Sequence, residues 1–181
     1  MHQMYVNIHY MRSSSLSRTL QHIALRGRWC VNESTLRLLL PESVNTFRIA
    51  MARHVRTRAL TRIAPGLYLN PYCQRPPWAL ERLASHLRPD DHYYVSLEAV
   101  LFEHGLISQA PNRLTLMTSG RTYTYDTPLG IIEFVHTVRA PTNWRARTTF
   151  FQDRGIHVAH ADLALEDLGH VGRNLDLVHA E

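Results

Sequence analysis

The chain has 181 residues, a net charge of +5 and a sequence pI near 9.6, enough for one ordinary domain or two small ones. All twenty of its basic residues are arginine, which excludes P-loop phosphate chemistry and Schiff-base or pyridoxal chemistry, both of which need a lysine amine. No run of about 18 apolar residues predicts a membrane span, and Cys30 and Cys73 stand too far apart to make a disulfide framework or a zinc pattern. The polar, aromatic stretch Met1 to Arg12 is no secretory signal and reads as a tail of a cytoplasmic protein.

Ser13 to Ser15 offer an N-cap, and Leu16, Leu20 and Ile23 form a helical stripe that ends at Gly27. A short strand is predicted over Trp29 to Val31. Asn32 caps a second helix carrying Leu36, Leu39 and Leu40, and Pro41 stops it. Ser43 caps a third helix from Val44 to Arg56. Its inward stripe is predicted as Val44, Phe47, Met51 and Val55. Asn45, Thr46, Ile49, Arg53 and Arg56 lie on the other face, with Arg48 on the flank. Leu60 to Leu69 then reads as two short strands around Pro65-Gly66.

This order of three helices and a hairpin is that of a winged helix-turn-helix. The third helix would enter the major groove of double-stranded DNA and the hairpin would be the wing. The predicted DNA-binding residues are Ser43, Asn45, Thr46, Arg48, Arg53 and Arg56, with Arg58 and Arg62 on phosphate. The charge agrees with this reading. Residues 1–75 hold eleven arginines against two acids, Glu33 and Glu42, a net +9, whereas residues 76–181 hold nine arginines against thirteen acids, a net −4. A cationic small domain most often meets nucleic acid.

The division expected is a tail over 1–12, a DNA-binding domain over 13–70, a Pro-rich linker over 71–78 and a second domain over 79–181. In the second domain, Trp78 to Leu87 is predicted helical and Tyr93 to Val95 extended. Ser96 is predicted to cap a helix bearing Leu97, Val100, Leu101 and Leu106. Strands follow over 114–117, 121–125 and 130–136, and a last helix over 159–170. The fold class expected is α/β in the broad sense (α+β): a winged helix-turn-helix followed by a small domain of helices and an antiparallel sheet.

Several stretches resemble the AbiEi antitoxins of type IV toxin–antitoxin systems. Arg62-Ile-Ala-Pro-Gly-Leu-Tyr68 resembles the family's wing, and the stretch from Tyr94-Val-Ser-Leu97 to His104-Gly-Leu-Ile107 its characteristic helix. Leu114 to Thr118 and Gly130 to His136 resemble the strands that follow, and Val158-Ala with Ala164-Leu-Glu-Asp-Leu168 its late helix. The resemblance spans about 13–170. It implies a repressor that autoregulates its operon by binding inverted repeats, two copies meeting on DNA. It also implies that the second domain helps counter a neighbouring nucleotidyltransferase toxin without a stable complex. Two alternatives stay open: a solitary regulator of a mobile element, and a DNA-processing enzyme.

Other chemistry is weakly signalled, and neither catalysis nor a cofactor is expected. His157 and His160 are three apart and His170 follows, but no acid or cysteine pattern completes a metal site. His136 and Arg139 match a His-x-x-Arg box, yet no tyrosine follows it. Glu98, Glu103, Asp126 and Glu133 could supply a carboxylate pair for a metal nuclease, and Glu103-His104 a general acid and base. Nothing in their spacing selects them.

Overall fold

The computed structural model describes residues 13–178; the predicted tail over 1–12 lies outside them. The architecture is mixed α/β, with seven α-helices and two sheets among the described residues. The chain divides into two compact units, Met1–Pro76 and Pro77–Glu181, within the Pro-rich stretch. No described helix is long and apolar enough to cross a membrane.

In the first unit, α1 (Ser13–Ala24), α2 (Glu33–Leu39) and α3 (Val44–Arg56) surround one core. Leu16, Leu20 and Ile23 recur at helical spacing and meet Leu36, Leu40, Phe47, Ala50, Met51 and Leu60. Gly27, at φ +68, takes the left-handed conformation that stops α1. Strands β1 (Cys30–Asn32), β2 (Thr61–Ala64) and β3 (Leu67–Leu69) form an antiparallel sheet in the order β1-β3-β2. Pro65 fixes one corner of the β2–β3 turn and Gly66, at φ +73, supplies the other. The Gly66 carbonyl accepts the Glu33 backbone N–H at 2.7 Å, which ties the hairpin tip to the start of α2. The register shifts between Arg62 and Ala64, a bulge that lets the hairpin bend. Asn70 is buried, and its amide donates to the carbonyls of Leu20 (2.9 Å) and Arg28 (3.0 Å). It therefore clasps α1 to the end of the sheet.

The second unit holds α4 (Ala79–Leu87), α5 (Glu98–Glu103), α6 (Pro141–Trp144) and α7 (Ala161–Val171). Its strands are β4 (Tyr93–Val95), β5 (Arg113–Thr118), β6 (Tyr123–Thr127), β7 (Gly130–His136), β8 (Thr148–Phe151) and β9 (Ile156–Ala159), in the sheet order β6-β7-β5-β4-β9-β8. This sheet is mixed, not antiparallel as expected. The β6–β7 hairpin folds back so that β7 lies parallel to β5, and the β8–β9 hairpin sets β9 parallel to β4. Residues 159 and 160 precede the last helix: Ala159 ends β9, and His160 stands at the N-cap position of α7.

Ser96 does not cap α5. Its hydroxyl donates to Asp167 at 2.7 Å, and Leu97 occupies the cap position at φ +58. The cap comes from the neighbouring strand: Thr115 Oγ1 accepts the Ala99 N–H at 3.3 Å and donates to the Ser96 carbonyl at 2.7 Å. The Leu97 side chain is fully buried, and burying it offsets the strained backbone, a cost on the order of 1–3 kcal/mol.

Candidate nucleic-acid interface

Helix α3 is the element that displays most of the predicted site. Thirteen residues give it a length of about 20 Å. Its buried positions are Phe47, Ala50, Met51 and His54, spaced three, one and three residues apart, so they occupy one side. Val44 is 47% exposed and does not belong to the inward stripe. At the first position of the helix its side chain lines the groove beside α2 rather than the core. Ala50 and His54 complete the inward face in its place.

Opposite that core lie Asn45, Ile49, Ala52 and Arg56, all exposed, with Arg53 half-buried at the edge. Ile49 is 65% exposed, an apolar group in a polar surface. Ser43 and Thr46 work locally: Ser43 Oγ accepts the Thr46 N–H at 3.3 Å, and the two hydroxyls bond each other at 2.9 Å. They cap the helix, so their hydroxyls are already engaged. Arg58 follows α3 in an exposed turn at φ +58. Arg62 is exposed on β2 and donates from Nε to the Ala64 carbonyl at 3.3 Å.

A groove of about 370 Å³ runs between α2, α3 and the hairpin. Arg37, Arg48 and Arg62 line it with Glu33, over a base of Met51 and Tyr68. Burial raises the Tyr68 phenol above its ordinary pKa; Glu33 adds to this and Arg62 opposes it. Arg37 is the residue the sequence reading missed. Its signal was its position four residues after Glu33 on α2, which turns both toward the same groove.

The charge in the two units is organised differently. In the second unit most arginines are held by carboxylates. Arg154, buried, donates to both oxygens of Glu81 (2.8 and 2.6 Å) and to both of Glu103 (2.9 and 2.9 Å), and it lies over the rings of Trp78 and Phe151. Arg173 bridges Glu98 and Glu133 through four bonds of 2.8–3.0 Å. Arg139 and Arg147 share Glu166, and they reach Asp167 and Asp162 respectively. Burial pushes the Glu98 carboxyl upward, but hydrogen bonds from Arg173 and Asn174 outweigh it and leave it below its ordinary range. Asp167 goes the other way. Burial dominates and raises it, although Ser96, Tyr94 and Arg139 all donate to it. In the first unit, no ion pair joins Arg37, Arg48, Arg56, Arg58 or Arg62 to a carboxylate among the described residues.

The other sequence candidates are dispersed. Of the four acids, Glu98 and Glu133 do meet, but on the guanidinium of Arg173, while Glu103 pairs with Arg154. His157 bonds Thr148 and His160 bonds Thr149, whereas His170 bonds the carbonyl of Glu166. His136 sits on the Gly120 carbonyl, away from the carboxylates that hold Arg139. The Tyr94 hydroxyl is buried against Asp167 at 3.0 Å. Burial, with Cys73 nearby, pushes the Cys30 thiol up to about 12, which keeps it protonated and unreactive. No protein-family model and no curated protein sequence matches the chain.

Proposed function

We propose that this chain is a sequence-specific DNA-binding transcription repressor whose first unit acts as a winged helix-turn-helix. One observation carries the reading: among the described residues Arg37, Arg48, Arg56, Arg58 and Arg62 are exposed and form no ion pair with a carboxylate, and they lie on or beside a helix that exposes Asn45, Ile49 and Arg56. A major groove is about 12 Å wide and admits such a helix. Asn45, Arg53 and Arg56 have the side chains that read base edges, and Ile49 suits a thymine methyl. Arg58 and Arg62 would meet phosphate. In the second unit most arginines are paired with carboxylates, and that unit would serve another partner. The resemblance to AbiEi antitoxins makes that role the countering of a nucleotidyltransferase toxin in the cytoplasm, with two copies on an inverted repeat.

The test is fluorescence anisotropy of the full chain on its own upstream duplex against a scrambled one, across a salt series. Binding should be tighter on the upstream duplex. Arg53→Ala and Arg56→Ala should each cost about 1–3 kcal/mol there and relax specificity. Equal, weak binding to both duplexes with no effect of either substitution would refute the reading.

A further inference from the structure

The groove beside α3 contains a feature that base reading does not use. Arg37 on α2, Arg48 on α3 and Arg62 on β2 reach it from three different elements. Among the described residues Glu33 is the only acid along it, so this lining carries a net +2. All three arginines are exposed, and among the described residues none has a carboxylate partner. Arg62 donates from Nε to the Ala64 carbonyl at 3.3 Å, a bond that does not use the terminal nitrogens of its guanidinium. Three like charges around one hollow repel each other until an anion enters. A guanidinium fork matches the oxygens of a phosphate, and three forks from three directions suit a tetrahedral group.

We propose that Arg37, Arg48 and Arg62 form a cradle for one phosphate group of the DNA backbone. The inference rests on the DNA-binding reading and adds Arg37 to it. It also gives Arg48, on the flank of α3, a positioning role. On α3, Val44, Arg48 and Met51 line the cradle, whereas Asn45, Ile49 and Arg56 lie on the exposed face beside it. Phosphate contacts set the register of a protein on a duplex, and base contacts specify the sequence. A phosphate held between α2, α3 and β2 fixes how deep α3 sits and how it is rolled. The buried pair Met51 and Tyr68 makes the base of the cradle part of the core, so its arginines hang from a rigid frame.

The experiment uses the full chain and a duplex that it recovers from a random-sequence pool. Each phosphate of that duplex is replaced in turn by a neutral methylphosphonate. Affinity is measured for the wild type and for Arg37→Ala, Arg48→Ala and Arg62→Ala, with circular dichroism as a check on folding. One methylphosphonate position per half-site should weaken the wild type on the order of tenfold. The same position should weaken all three variants far less. The triple variant should lose about one unit from the slope of log K against log salt. Three different coupled positions, or a slope loss of about three, would mean three separate contacts and overturn the cradle. Coupling at no position would overturn it as well, and in both cases DNA binding itself would stand. A chain that recovers no duplex overturns the DNA reading instead. Inorganic phosphate is then titrated while the arginine Nε–H resonances are followed. Joint shifts of Arg37, Arg48 and Arg62 would keep the cradle with a free phosphorylated ligand as its source; their absence would overturn it.

Discussion

Replacing His54 with leucine should stabilise the first unit and remove part of its sensitivity to acid. His54 is 2% exposed on the inner side of α3, and its Nε2 has no hydrogen-bond partner among the described residues. Burial, helped by the neighbouring Arg53 charge, holds the imidazole below its ordinary pKa, so it is neutral in the fold. An unpartnered buried polar atom costs about 1–3 kcal/mol, so an apolar side chain of similar size should gain about 1 kcal/mol at pH 7. The effect of pH follows from the direction of the shift. Unfolded, the imidazole takes up a proton below about pH 6.5, whereas folded it resists protonation to lower pH. The contribution of His54 is therefore intact above about pH 6.5 and falls as the pH drops below it. For one proton the slope cannot exceed about 1.36 kcal/mol per pH unit. Hydrogen exchange of peptides covering α3, corrected for intrinsic rates and compared between wild type and His54→Leu at pH 7.0 and 5.5, reads this difference while cancelling every other titrating group. Equal losses in both proteins would show that His54 is not held neutral, and a leucine variant less stable at pH 7 would show that the Nε2 is satisfied.

Other predictions concern the two buried polar anchors. Arg154→Met leaves Glu81 buried without its partner and should lower the stability of the second unit by about 3–5 kcal/mol in thermal unfolding. The double variant Glu81→Leu/Arg154→Met should recover much of that loss, because it removes the stranded charge. Asn70→Leu strands the carbonyls of Leu20 and Arg28 and should cost the first unit about 1–3 kcal/mol in chemical denaturation, with the melting of the second unit unchanged.

The elements of the first unit were legible because their signals are local. Ser43, the spacing of Phe47 and Met51, and the Pro65-Gly66 turn each act within a few residues, and α3 begins and ends where those signals put it. Val44 misled because helical spacing says which side a residue faces but not whether anything packs there at the first turn. In the second unit the decisive contacts are remote. Ser96 carries the residue type of a cap, yet its hydroxyl is claimed by Asp167, 71 positions away. The true cap, Thr115, lies on another strand. Strands β8 and β9 are four residues each, too short for alternation to separate them from a loop or a helix start. The mixed sheet depends on how two hairpins fold back, which no local pattern encodes.

The charge division was visible in composition, but its meaning depends on placement. Thirteen acids against nine arginines describe the second half as mildly acidic, yet most of its arginines are held by carboxylates of the same unit. Glu98 and Glu133 illustrate the consequence. As residue types they fit a metal-binding pair, and the fold does bring them together, but on a guanidinium whose four bonds engage all four of their oxygens. In the first unit Glu33 lies in the arginine groove without forming an ion pair with Arg37, Arg48 or Arg62 among the described residues. Net charge counts both halves in the same way. What separates them is placement: Arg154 and Arg173 have their counter-ions built into the fold, whereas Arg37, Arg48 and Arg62 form no ion pair among the described residues, and the DNA-binding proposal rests on that difference.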